Sequence, residues 1–158
     1  MEIRPHPGVD WARHGQVRRL PATYTRTQGT RYLLAAYDVQ TQALWGTVYK
    51  RQTWNEVLDF LKAVRQCYPD DRWLHVVLDN RGSHKTSEVR QWCAANRMRL
   101  VFQPTYSSWL NRIECQFTAL KKFALSGRYF KDHAEQNAAI RAYLNYRRKS
   151  RQPFEKRH

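Results

Sequence analysis

Trp73-Leu74-His75-Val76-Val77-Leu78-Asp79-Asn80 is the stretch that decides the fold. A mostly apolar run rich in branched side chains ends abruptly at a polar pair, which predicts a buried strand closing at a sheet edge. In an open α/β sheet, the carboxyl end of such a strand is where ligands and catalytic groups gather. Asp79 therefore stands where chemistry is done. Ser83 and His84 follow, then a helix-like segment, then the short strand Leu100-Val101-Phe102. The turn Gln103-Pro104-Thr105-Tyr106-Ser107-Ser108 leads into Trp109-Leu110-Asn111-Arg112-Ile113-Glu114.

Trp109, Ile113, Phe117 and Leu120 recur at helical spacing and form an apolar stripe. Glu114 lies about 100° around the helix from Ile113, at the border of that stripe. Packed on the sheet through the stripe, this helix holds Glu114 near the end of the Asp79 strand. Two converging carboxylates are hard oxygen ligands for divalent metals. Taken singly, each has a plainer reading. Asp79 alone is a turn or cap residue, and Glu114 alone favours the positive end of its helix.

The two motifs together resemble the second half of an IS630-type transposase, from the IS630/Tc1/mariner superfamily with its DDE catalytic domain. The family pattern is "DN…H" followed by "P-x-Y-S-P-x-L-N-P-I-E", with 34 residues between the second Asp and the Glu. Residues 80 to 113 intervene here, the same number. Ser108 and Arg112 stand where the pattern has Pro, outside the metal-ligand positions.

The resemblance implies a ribonuclease H-like mixed α/β sheet flanked by helices, and DNA cleavage and strand transfer of an insertion sequence. It implies two Mg²⁺ (or Mn²⁺) ions held by three carboxylates, of which Asp79 and Glu114 match the second and third. Asn80, His84 and Asn111 take supporting places, and Ser83, Lys85 and Arg112 are candidates for phosphate contact. The family's first Asp ends a strand that would lie before Met1. The expectation is a sheet without its first strand, and a chain that is catalytically silent alone. Asp10 sits in a Pro/Gly-rich loop, and Asp38 ends a strand running the opposite way, so neither replaces that ligand. Two other readings stay open, a non-catalytic DNA-binding remnant and another ribonuclease H-like nuclease.

Composition agrees with a DNA partner. The 158 residues suffice for one domain with a single core, and 42% hydrophobic with 13% aromatic content argues against disorder. The net charge of +15 calls for a polyanion, here transposon ends and target DNA. Residues 121–158 carry 11 Lys/Arg against 3 Asp/Glu, including Lys121, Lys122, Arg147, Arg148, Lys149 and Arg151 as DNA-contact candidates. No apolar run approaches the length of a membrane span, and no signal region opens the chain. Cys67, Cys93 and Cys115 lie far apart without metal-site spacing, which reads as buried thiols in a cytoplasmic protein. A homodimer is compatible with the family.

In chain order, 1–30 is an irregular basic loop anchored by Trp11, 31–125 the core and 126–158 a basic helix and tail, all one catalytic domain. Tyr32–Val39 and Leu44–Tyr49 predict an antiparallel pair around a polar turn. Thr53 caps a helix with Val57, Leu58, Leu61 and Val64 inward, and Thr86 or Ser87 caps the next. The final helix spans about His133 to Arg148, and Gly127 ends the one before it.

Overall fold

The computed structural model describes residues 2–3, 29–69, 71–104, 111–128 and 130–149. Its strands and helices fall where the periodicities put them, except that the strand expected to be buried, Leu74–Leu78, has no buried residue and leaves Val77 53% exposed. The strands β2 (Arg31–Tyr37) and β3 (Leu44–Tyr49) pair antiparallel from Tyr32 opposite Tyr49 to Tyr37 opposite Leu44. Asp38 makes their turn. Its Oδ1 accepts the backbone N–H of Gln40 at 2.8 Å and of Thr41 at 3.1 Å, while Gln42 takes the left-handed conformation, φ 59°.

Successive strand residues face opposite sides, and here this separates two cores. Leu33 joins Leu44, Leu120, Ala124, Leu125, Ile140 and Leu144 on one face of the hairpin. Leu34 joins the other core, with Val57, Phe60, Leu61, Val64, Val89, Cys93 and Met98. The first core is closed by helix α3 (Ile113–Leu120), its one-turn π continuation Lys121–Leu125, and α4 (His133–Lys149). The second is closed by α1 (Trp54–Gln66) and α2 (Ser87–Ala95). Gly46 lets α4 approach β3. A Cβ there would lie 3.0 Å from Leu33 Cδ1 and 3.1 Å from Leu144 Cδ1.

The caps fall as expected. Glu56 Oε2 accepts the Thr53 backbone N–H at 2.8 Å at the start of α1, and Thr86 precedes α2. Gly127 takes positive φ, 70°, just past the π turn. The strand β4 (Leu74–Leu78) pairs parallel with β5 (Met98–Phe102), Leu78 opposite Phe102. β5 starts two residues earlier than its apolar run, because Met98 is 2% exposed and belongs to the core.

A second expectation needs correcting. A two-residue strand, β1 (Glu2–Ile3), pairs antiparallel with the start of β2, Glu2 opposite Tyr32, within the segment read as an irregular loop. Two residues carry no alternation for a sequence reading to detect. The rest of that segment up to residue 28, including Asp10 and Trp11, lies outside the described residues. Among the described residues β4 pairs only with β5, so its other edge carries no ladder.

Candidate metal centre

Asp79 follows β4 directly, at the carboxyl end of the parallel pair. Two contacts lock that end. The Gln103 backbone N–H donates to the Leu78 carbonyl at 3.0 Å, and Asn80 Nδ2 donates to the Gln103 carbonyl at 2.5 Å. Asn80 thus braces the strand end on which Asp79 sits.

Both carboxylate oxygens of Asp79 are engaged. Oδ1 lies 2.8 Å from His84 Nδ1, and Oδ2 lies 3.2 Å from Arg81 Nε. His84 is brought back by the 3₁₀ turn Gly82–His84, and it is 9% exposed. An ionised carboxylate only accepts, so this pairing places a proton on Nδ1. Arg81 is itself held, its Nη1 donating to Gln52 Oε1 at 2.8 Å, across from the segment before α1. The hydrogen bond from His84 holds the Asp79 carboxyl below its ordinary value; burial opposes this, and the charge of Arg81 adds to it.

A pH dependence follows. Because the folded value is lowered, ionised Asp79 adds stability above the ordinary value of 3.8, and that contribution is lost as pH falls through the lowered one. Wild type should therefore lose more stability than Asp79→Asn between about pH 5 and pH 3. Urea unfolding at both pH values measures it. A wild-type-to-variant gap that does not shrink in acid would refute the assignment.

Glu114 sits in the first turn of α3, exposed, with its N–H on the Asn111 carbonyl at 3.0 Å. Ile113 and Phe117 pack against the buried Leu120 core, so the stripe faces inward as its spacing predicts. Trp109, and with it residues 105–110 of the connecting turn, lies outside the described residues. Asn111 is half-buried just before the helix, and Arg112 is exposed at its start. Among the described residues no three His, Cys, Asp or Glu gather closely enough to hold a metal. Asp38 is committed to its turn, and its Oδ2 accepts the Tyr68 hydroxyl at 2.7 Å.

The basic candidates divide. Lys85 Nζ and the Arg90 guanidinium each lie 5.6 Å from the centre of the Phe102 ring. Lys121 and Lys122 occupy the π turn, with Lys122 Nζ 5.8 Å from the Phe123 ring. Arg147 is half-buried and donates to Gln116 Oε1 on α3. Its spacing from Ile140 and Leu144 puts it on the packed side of α4, which charge alone did not reveal. Arg148 is exposed and bonds Asn145, while the Lys149 side chain and Arg151 lie outside the described residues. Arg81 and Gln52 were missed. Arg81 had a signal in its place inside the Asp79–His84 motif; Gln52, 29 positions away, had none.

A family model described as "DDE superfamily endonuclease" matches residues 2–136. A protein of Shigella sonnei named "Insertion element IS630 uncharacterized 39 kDa protein" is 28% identical over 122 residues, covering 76% of this chain and 35% of that protein. The chain thus spans about a third of its relative's length. Among solved structures, it resembles a chain of the cryo-EM structure of simian T-cell lymphotropic virus intasome in complex with PP2A regulatory subunit B56 gamma. The TM-score is 0.61 at 19% identity, over 73% of this chain and 41% of that one. At that identity the likeness is one of fold, ribonuclease H-like, to which the described residues contribute a three-stranded antiparallel sheet, a two-stranded parallel sheet and their helices.

Proposed function

Because the chain belongs to the DDE superfamily endonuclease family, we propose that it is the catalytic domain of an IS630-type transposase, cutting and rejoining DNA at an insertion sequence. The observation that carries this is Asp79, half-exposed at the carboxyl end of β4 and held ionised by His84 and Arg81.

The donors fit the metals that such endonucleases use. Asp79 and Glu114 offer hard carboxylate oxygens, suited to Mg²⁺ or Mn²⁺ rather than to soft-ligand metals. Such ions, when bound, activate the attacking hydroxyl and stabilise the leaving oxygen of a phosphodiester. His84 orients Asp79 and keeps its carboxylate charged, Asn80 fixes the strand end, and Asn111 braces the start of the Glu114 helix. Completing the set takes a third carboxylate, and among the described residues no three His, Cys, Asp or Glu gather to supply it. The test is cleavage of a duplex carrying the element's ends by a protein containing this domain, in Mg²⁺ or Mn²⁺. Cleavage that survives Glu114→Gln would refute the assignment.

Two expected results arise here. Arg81 competes with metal for Asp79 Oδ2, so Arg81→Gln should tighten Mn²⁺ binding by up to about five-fold, the worth of an exposed ion pair. Water-proton relaxation reads it, and unchanged or weaker binding would remove Arg81 from the site. The α4 tail should bind DNA without sequence preference. Neutralising Arg148, Lys149 and Arg151 together should flatten the salt slope by about 2–3 units. Arg147 is left intact because Gln116 holds it. An unchanged slope assigns the binding elsewhere.

A further inference from the structure

The metal centre leaves unused the outer edge of β5. A cavity of about 710 Å³ is lined by Arg90 of α2, by Trp73, His75 and Arg99, and by Phe102 at the carboxyl end of β5. That end adjoins the metal centre, since Phe102 stands opposite Leu78, the residue before Asp79. There the Phe102 ring holds two cations, Lys85 and Arg90, each 5.6 Å from its centre. At the far end Trp73 is 57% exposed.

The chemistry of the lining selects its occupant. Among the described residues no carboxylate lines the cavity, while Arg90, Arg99 and His75 do. Arg90 and Arg99 stand exposed along it, two fixed positive charges with no carboxylate of the lining to pair them, so an anion is the complementary occupant. Among the described residues β5 pairs only with β4, and a peptide strand added to its other edge meets exposed Arg99, a charge that opposes strand addition. A phosphodiester backbone satisfies the cations, and an unstacked base has a partner in the exposed indole. A duplex offers phosphates but no free base face.

We propose that this groove carries a single strand of DNA away from the metal centre, its phosphates on Lys85, Arg90 and Arg99 and a base against Trp73. The proposal rests on reading the chain as a DNA-processing domain. The test is fluorescence anisotropy with a dT oligonucleotide and with a duplex of equal length, over a range of KCl. For the single strand, the double substitution Arg90→Gln/Arg99→Gln should flatten the salt slope by about 1.4 units. Trp73→Ala should weaken single-strand binding roughly 5- to 150-fold, with little effect on the duplex. Circular dichroism checks that each variant is folded.

Wild-type slope and affinity in both variants, with wild type itself binding DNA, would overturn the groove and leave the transposase reading standing. Losses on duplex equal to those on the single strand would put a duplex there instead, and overturn it. So would a wild-type dimer, seen by sedimentation, that Trp73→Ala dissolves, because a second copy then fills the groove. No binding of either oligonucleotide by wild type at low salt would sink the DNA reading and this proposal together.

Discussion

Asp79→Asn should lower metal-dependent DNA cleavage by about 10³-fold or more in a protein containing this domain, while leaving the fold and DNA affinity in place. The substitution keeps the size of the side chain, but its single carbonyl oxygen can accept from His84 or from Arg81 and not from both, which now meet separate oxygens at 2.8 Å and 3.2 Å. What it removes is the charge on a metal ligand. Losing one carboxylate from a two-metal site costs several kcal/mol of transition-state stabilisation, at about 1.36 kcal/mol per tenfold in rate. His84→Ala should act in the same direction but less, since it disturbs orientation and charge without removing a ligand. Single-turnover cleavage rates in saturating Mg²⁺ measure both. An Asp79→Asn protein that cuts within tenfold of wild type would show that the chemistry sits elsewhere.

The second large effect is on stability. Leu33→Ala should lower the unfolding free energy by about 2–5 kcal/mol, read from the urea midpoint at constant slope. Leu33 is fully buried in the core that joins the hairpin to α3, the π turn and α4, and its Cδ1 fills the space over Gly46. Collapse around the hole is limited, because the opposite face of the same strand is pinned by Leu34 in the other core. The consequence reaches function, since the same core seats α3 and with it Glu114. A loss below about 1 kcal/mol would mean that the helical layer is not packed on Leu33 as described.

Much of this was legible in the chain, for reasons that particular residues make plain. The hairpin showed itself through its two apolar runs and the polar turn at residues 40–42, α1 through Thr53 and its apolar spacing, and α4 through Ile140 and Leu144. Asp38, read as part of the strand, instead makes the turn. Periodic burial writes itself into sequence because each element must hide one face. Asp79 and His84 were legible as a motif, and five residues of separation let one 3₁₀ turn bring them together. Gln52 was not, because its bond to Arg81 depends on how two loops meet in space. β1 was too short to carry a pattern, and it changes the picture of β2's edge. Arg147 shows the limit from the other side. Its charge suggested DNA, and only helical phase against a packed core reveals that it faces Gln116.

The central claim is that Asp79 and Glu114 share divalent metal at one centre. Anomalous diffraction from crystals soaked in Mn²⁺ tests it most directly, because the ion is located without reference to activity. The account predicts a manganese peak within about 2.2 Å of a carboxylate oxygen of each residue, with Arg81 drawn off Asp79. A peak bound by one of the two while the other stands more than about 10 Å away, beyond the reach of a paired-ion site, would contradict it.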